Sequence, residues 1–99
     1  MEVAITKENA KVCAAITGRL DTVTSEELKA KLEEADITGC DVELDFTNVE
    51  YISSAGLRLL VATQKKAAAT SHTMVVKNIN RVVKEVFRVA GFDKAIKVV

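Results

Sequence analysis

Two adjacent serines, Ser53 and Ser54, stand before Ala55, Gly56 and Leu57, and the residues beyond them repeat with helical spacing. The first amides of a helix lack intrahelical acceptors, and the helix dipole places partial positive charge among them. A serine hydroxyl there is a natural cap. The same place tolerates a phosphate, because free N–H donors and the dipole both favour added negative charge. The small side chains of Ala55 and Gly56 leave the hydroxyl uncrowded. On the residues alone, a plain cap and a phosphoacceptor both remain open.

Other chemistries find less support. No G-x-S-x-G elbow is present, and the one histidine, His72, falls at the far end of the Ser54 helix, more than about 20 Å away at the usual helical rise. Asp41, Glu43 and Asp45 alternate along a strand pattern and read as a solvated face, not as a general acid/base pair. No glycine-rich phosphate loop occurs. Cys13 and Cys40 lie 27 positions apart with no C-x-x-C, which argues against a metal site or a disulfide framework. Cys13, inside an apolar strand pattern, reads as a buried thiol, and Cys40 as a small residue at a strand entry. The expectation is a protein that is not an enzyme, with no catalytic residues, no cofactor and no metal.

The chain of 99 residues is 48% hydrophobic and 28% charged, which suits one folded domain over residues 1–99. No apolar run approaches the ~18 residues of a membrane span, so no membrane insertion is expected. The opening MEVAITKENA lacks a basic stretch leading an apolar one, so a cytoplasmic location is expected. Lysine plus arginine and aspartate plus glutamate number 14 each, and only 4% of residues are aromatic. Without a basic surplus or a stacking platform, nucleic acid is not an expected partner. The charge is unevenly spread: residues 1–50 carry 5 basic and 12 acidic side chains, residues 51–99 carry 9 and 2. This reads as two halves that attract each other in the fold, or as a polarised surface that orients a partner.

Periodicity outlines the strands and helices around the two serines. Val3, Ile5 and Lys7 suggest a strand, Glu8-Asn9-Ala10 a turn, and Val12 to Gly18 a second strand. Thr24 with Glu27 three residues later reads as a helix start, with Leu28, Leu32 and Ala35 on one face and an end before Thr38-Gly39. Asp41 to Phe46 alternates as a strand, and Thr47 to Ser53 reads as a connector anchored by Val49 and Ile52. The helix from Ser54 is expected to bury Leu57, Leu60, Val61, Gln64 and Ala68. Met74–Lys77 is a short strand, Asn80 caps a third helix with Val82, Val83, Val86, Phe87 and Ala90 inward, and Gly91 suits a left-handed end. Ile96 to Val99 closes as a strand. The order implies an α/β fold, a mixed β-sheet with helices packed mainly on one face.

The stretch Asp45-Phe46-Thr47, Val49, Ile52, Ser53-Ser54-Ala55-Gly56-Leu57 resembles the signature of the STAS domain, shared by bacterial anti-sigma factor antagonists and the cytoplasmic tails of sulfate transporters. Gly18-Arg19-Leu20-Asp21 is similar to the family's Gly-Glu-Leu-Asp entry to the first helix, and Val86 to Phe92 to its closing helix. Together these cover nearly the whole chain in order, the central motif being the specific one. Many relatives add a further helix, so the resemblance implies that part of the usual sheet or helix cover is shorter here.

The resemblance implies an anti-sigma factor antagonist (an anti-anti-sigma factor) working by partner switching. Its unphosphorylated form would bind an anti-sigma factor serine kinase of GHKL type and free the sigma factor. Phosphorylation at Ser54 would reverse binding, and a serine phosphatase would reset it. Ser53 falls where an aspartate is commonest in the family, which makes it an alternative acceptor. Asp21 matches the loop aspartate near the acceptor. The implied partner-binding surface is Asp21, Thr22, Asn48, Glu50, Ser53, Ser54 and Arg58. An alternative reading is a non-switching STAS scaffold subunit of a membrane transport ATPase or signalling assembly.

Overall fold

Asn9, at φ 52°, and Ala10 form a two-residue turn that folds β1 (Glu2–Glu8) back on β2 (Lys11–Leu20) as an antiparallel hairpin. From there the chain alternates strand and helix in the computed structural model, which describes all residues from Met1 to Val99. The elements are α1 (Thr22–Ala35), β3 (Asp41–Ile52), α2 (Ser54–Ala69), β4 (Met74–Lys77), α3 (Arg81–Val89) and β5 (Lys97–Val98). The five strands lie in sequence order, antiparallel between β1 and β2 and parallel thereafter. The expected mixed sheet is therefore present.

One face of the sheet is apolar and covered. Val12, Ala14, Ile16 and Leu20 of β2, Val42, Leu44, Phe46, Val49 and Ile52 of β3, and Met74 and Val76 of β4 share one core with Leu28, Leu32, Leu57, Leu60, Val83 and Phe87 of the helices. The other face carries Cys13, Glu43, Asp45 and Lys77. Cys13 is accordingly half-buried, not the buried thiol its apolar neighbours suggested; it pairs across the strands with Glu43, on the face opposite Val12 and Ala14. Cys40 is buried at the entry to β3, as expected.

Strand β3 runs to Ile52, so the expected connector over Thr47–Ser53 is strand through all but its last residue. The reason lies in the pairing with β2. Ala15 and Thr17 face Asp45 and Asn48, and Gly18 and Arg19 face Val49 and Tyr51, so β3 carries one extra residue at each of two bulges. Each bulge lengthens the burial step from two residues to three, from Phe46 to Val49 and from Val49 to Ile52. Strand β2 likewise continues two residues past Gly18.

The helices also correct details. In α2 the buried residues include Thr63 and Ala67, while Ala68 is exposed and Val61 and Gln64 are half-buried. In α3 only Val83 and Phe87 are buried; Val82 and Ala90 face solvent and Val86 is half-buried. A nine-residue helix lying over a sheet buries a narrow stripe, and Val83 and Phe87, four apart, fill it. Gly91 takes φ 77° and the Phe92 amide donates to the Phe87 carbonyl at 2.8 Å, closing the helix end as expected.

The two oppositely charged halves meet along the border of β3 with β4. Glu43 pairs across it with Lys77 at 3.3 Å, and Asp41 meets His72 Nδ1 at 3.1 Å; Glu43 also pairs within the acidic half with Lys11 of β2 at 3.6 Å. These few contacts leave most of the charge unpaired across the border, with the acidic half on the β1–β3 side.

Candidate functional site

Strands β2 and β3 end level with each other, Leu20 opposite Ile52, and each feeds a helix directly. The Ser53 amide donates to the Leu20 carbonyl at 2.8 Å, which ties the two exits together. Strand β4 feeds α3 from the same end. Three helix starts therefore crowd the carboxyl ends of the parallel strands, capped by Asp21, Ser53 and Asn80.

Asp21, not Thr24, is the cap of α1. One carboxylate oxygen accepts from the Val23 and Thr24 amides at 3.0 Å each, and the Thr24 hydroxyl accepts from the Asp21 amide at 2.8 Å. This reciprocal box uses Asp21 and Thr24, so the helix begins three residues earlier than the Thr24–Glu27 spacing suggested, and Glu26 and Glu27 fall beyond the first turn. The bonds from the Thr24 backbone and side chain, with help from Val23 and Arg19, hold the Asp21 carboxyl below its ordinary range.

Ser53 is the cap of α2, its Oγ accepting from the Gly56 amide at 3.3 Å. Ser54 is the first helical residue and its side chain is exposed. The cap and the free hydroxyl are thus two different serines, which the sequence left merged. Gly56 explains the tight seat of this helix start: a Cβ there would lie 2.6 Å from Ile52 Cγ1 and 3.2 Å from Leu20 Cβ. The first turn of α2 rests directly on the ends of β2 and β3 because position 56 has no side chain.

The other expected surface residues take up distinct places. Thr22 and Arg58 are both exposed and line one open groove of about 270 Å³ between α1 and α2, with Ser25 and Ala55. Asn48 and Glu50 are exposed on β3, Asn48 paired with Thr17. Asn80 Nδ2 donates to the Val49 carbonyl at 2.9 Å, pinning the α3 start beside them. Ser54 lines a second open groove, of about 330 Å³, with Leu57 of α2 and Glu85, Val86, Val89 and Ala90 of α3. Thr22 and Arg58 are thus brought together on the α1 side, whereas Ser54 looks onto α3.

Sequence reasoning missed this α3 wall, because Val86 and Ala90 read as inward-facing core positions, whereas both line the groove. It also missed the contacts of Asn78, which donates to Asp45 Oδ1 at 3.2 Å and to Thr47 Oγ1 at 3.1 Å. The signal was available in the Asn78-Ile79-Asn80 turn residues, and Asn78 indeed takes a left-handed φ of 62°.

Comparison with known proteins agrees with this architecture. Residues 3–99 match the family described as "Mlab, STAS domain". The chain is 30% identical over 93 residues to "Putative anti-sigma factor antagonist BtrV" of Bordetella bronchiseptica, covering 93% of this chain and 80% of that one. Its fold is similar to that of a "putative anti-sigma factor antagonist" of Thermotoga maritima, with a TM-score of 0.84, 17% identity, and 97% and 84% of the two chains covered. It is also similar to the antagonist SpoIIAA in unphosphorylated form, with a TM-score of 0.81, 18% identity, and 99% and 88% covered. The phosphorylated form of SpoIIAA, from Bacillus, aligns with a TM-score of 0.74 at 18% identity, covering 99% and 91%. The chain belongs to the STAS domain family. No helix of it is long and apolar enough to cross a membrane.

Proposed function

We propose that the protein is an anti-sigma factor antagonist, and that it acts in the cytoplasm by binding rather than by catalysis. Its unphosphorylated form binds an anti-sigma factor serine kinase, and phosphorylation of Ser54 ends that binding until a phosphatase removes the group. The observation that carries the reading is the position of Ser54. Its hydroxyl is exposed at the first residue of α2, while its neighbour Ser53 does the capping. A kinase can reach it, and a phosphate there meets helix amides without undoing the cap. The relative named "Putative anti-sigma factor antagonist BtrV" supports the partner class.

A phosphate adds about −1.5 to −2 charges at neutral pH. On a contact surface it brings bulk, a desolvation cost and repulsion from a partner's acids. Weakening binding 100-fold requires only about 2.8 kcal/mol. The test is to incubate the protein with its anti-sigma factor kinase and ATP and to follow intact mass. A stoichiometric gain of about 80 Da, as expected for one phosphoryl group, that is absent in Ser54→Ala supports the reading. Labelling that survives Ser54→Ala but is lost in Ser53→Ala moves the acceptor to Ser53.

One feature favours a second reading, the scaffold subunit of a membrane transport ATPase or signalling assembly. Ser53 stands where an acidic residue would flank the acceptor. Under that reading the protein gains no mass and binds its partner equally well as parent or Ser54→Asp.

A further inference from the structure

Strand β1 is a free edge of the sheet, and the hydrogen-bond pattern fixes which of its backbone groups lack partners. The Ala10 carbonyl accepts from the Asp41 amide at 2.8 Å, so Val12 and Ala14 turn their amides and carbonyls to β3, and Lys11, Cys13 and Ala15 turn theirs to β1. The residues opposite these, Glu8, Thr6 and Ala4, are thereby satisfied. The amides and carbonyls of Val3, Ile5 and Lys7 then point outward in a row along the edge. Natural edges are usually fenced by a proline, a bulge or an outward lysine. Here the chain has no proline, and β1 pairs with β2 without a bulge from Glu2 to Glu8. The one lysine of β1 is drawn aside, Lys7 Nζ donating to the Ala35 and Asp36 carbonyls at the end of α1 at 3.1 and 2.9 Å. The opposite edge, β5, is two residues long and offers no such row.

We propose that β1 pairs antiparallel with β1 of a second copy of this chain, about a twofold axis normal to the sheet, joining two five-stranded sheets into one. The row is its own complement, because in an antiparallel pair outward groups meet outward groups and opposed side chains share a face. The side chains select the register. Centred on Ile5, the pairing sets Glu2 against Glu8 of the second copy, and like charges directly opposite are destabilising. Centred on Thr6, it sets apolar Ile5 against Lys7 of the second copy. Centred on Ala4, it sets Val3 against Ile5, Glu2 against Thr6 and Ala4 against Ala4, with no like-charge pair. Val3 and Ile5 are half-buried and pack against the core, so the Ala4 register also carries the apolar layer across the axis. The axis reverses one sheet relative to the other. The two α2 starts therefore lie at opposite ends of the joined sheet, both open, and the dimer presents two Ser54 sites. The pairing is independent of whether Ser54 is a switch.

The test uses the full chain. Sedimentation equilibrium from about 10 µM to about 1 mM should show the average mass rising with concentration from 10.7 kDa toward about twice that value. Amide spectra of ¹⁵N-labelled protein over the same range should shift at Val3, Ile5 and Lys7. Ala4→Glu places two carboxylates against each other at the axis and should weaken association at least tenfold. Ala4→Lys does the same with two ammonium groups. An equal mixture of the two variants should dimerise again, because residue 4 then meets its opposite charge. Ala4 is exposed on the face that no helix covers, so circular dichroism should show both variants folded like the parent. Val98→Glu, the same charge change at the other edge of the sheet, should leave association unchanged. A single 10.7 kDa species up to about 1 mM would overturn the proposal. So would association of Ala4→Glu equal to the parent's, a mixture that stays monomeric, loss of association in Val98→Glu, or amide shifts centred away from β1.

Discussion

A Cβ on Gly56 would sit 2.6 Å from Cγ1 of Ile52, closer than packed carbons approach. The last residue of β3 and the first turn of α2 are therefore in direct backbone-to-side-chain contact, and Leu20 closes the same seat from β2. Gly56→Ala must push Ile52 or the helix start aside. Overpacking of this kind costs about 1–3 kcal/mol, which exceeds the ~1 kcal/mol that alanine gains over glycine in helix propensity. The expected outcome is a lower urea midpoint with an unchanged m-value, read by circular dichroism.

The two serines should separate in a stability measurement. Ser53→Ala removes the oxygen that accepts from Gly56, and loss of such a cap costs about 0.5–2 kcal/mol. Ser54→Ala removes an exposed hydroxyl and should stay within about 0.5 kcal/mol of the parent. Ser54→Asp should also fold normally, because a carboxylate in the first helical turn is favoured by the dipole. Urea unfolding of the three variants checks this; equal losses at 53 and 54 would contradict the assignment of the cap.

Asp21, Asp36, Asp41 and Asp45 are all held below the ordinary 3.8 by hydrogen bonds, led by those from Thr24, Thr38, Thr73 and Thr47 respectively. Burial pushes the Glu43 carboxyl up, but the hydrogen bond from Lys77 and the charges of Lys11 and Lys77 outweigh it, and the net direction is down from 4.5. A carboxyl lowered in the folded state stabilises the fold while ionised, so its contribution is full above the unfolded value and fades as pH falls through the folded one. Stability should therefore be flat near neutrality and fall below about pH 4. Thermal melts across that range check the sign; a rise in stability on acidification would contradict it.

Much of this arrangement could be read from residue patterns. The alternation of Val42, Leu44 and Phe46, the hairpin turn at Asn9 and the caps at Asn80 and Gly91 each follow from local chemistry. The second half of β3 did not, because two bulges break the period of two, and a bulge depends on the partner strand. The cap at Asp21 was read at Thr24, and the choice between Ser53 and Ser54 stayed open, for a related reason. Thr24 and Ser54 are also good helix-start residues, and only the strand exits at Leu20 and Ile52 decide which residue comes first. Val82 looked like core because it continues an apolar run; the nine-residue α3 presents too narrow a stripe to the sheet to bury it.

Calorimetric titration of the anti-sigma factor kinase with the protein, unmodified and then phosphorylated at Ser54, puts the partner-switching role to the most direct test. An unmodified protein that binds, and a phosphorylated one that binds at least 100-fold more weakly, a difference of about 2.8 kcal/mol, is the expected result. Equal affinity of the two forms would contradict it.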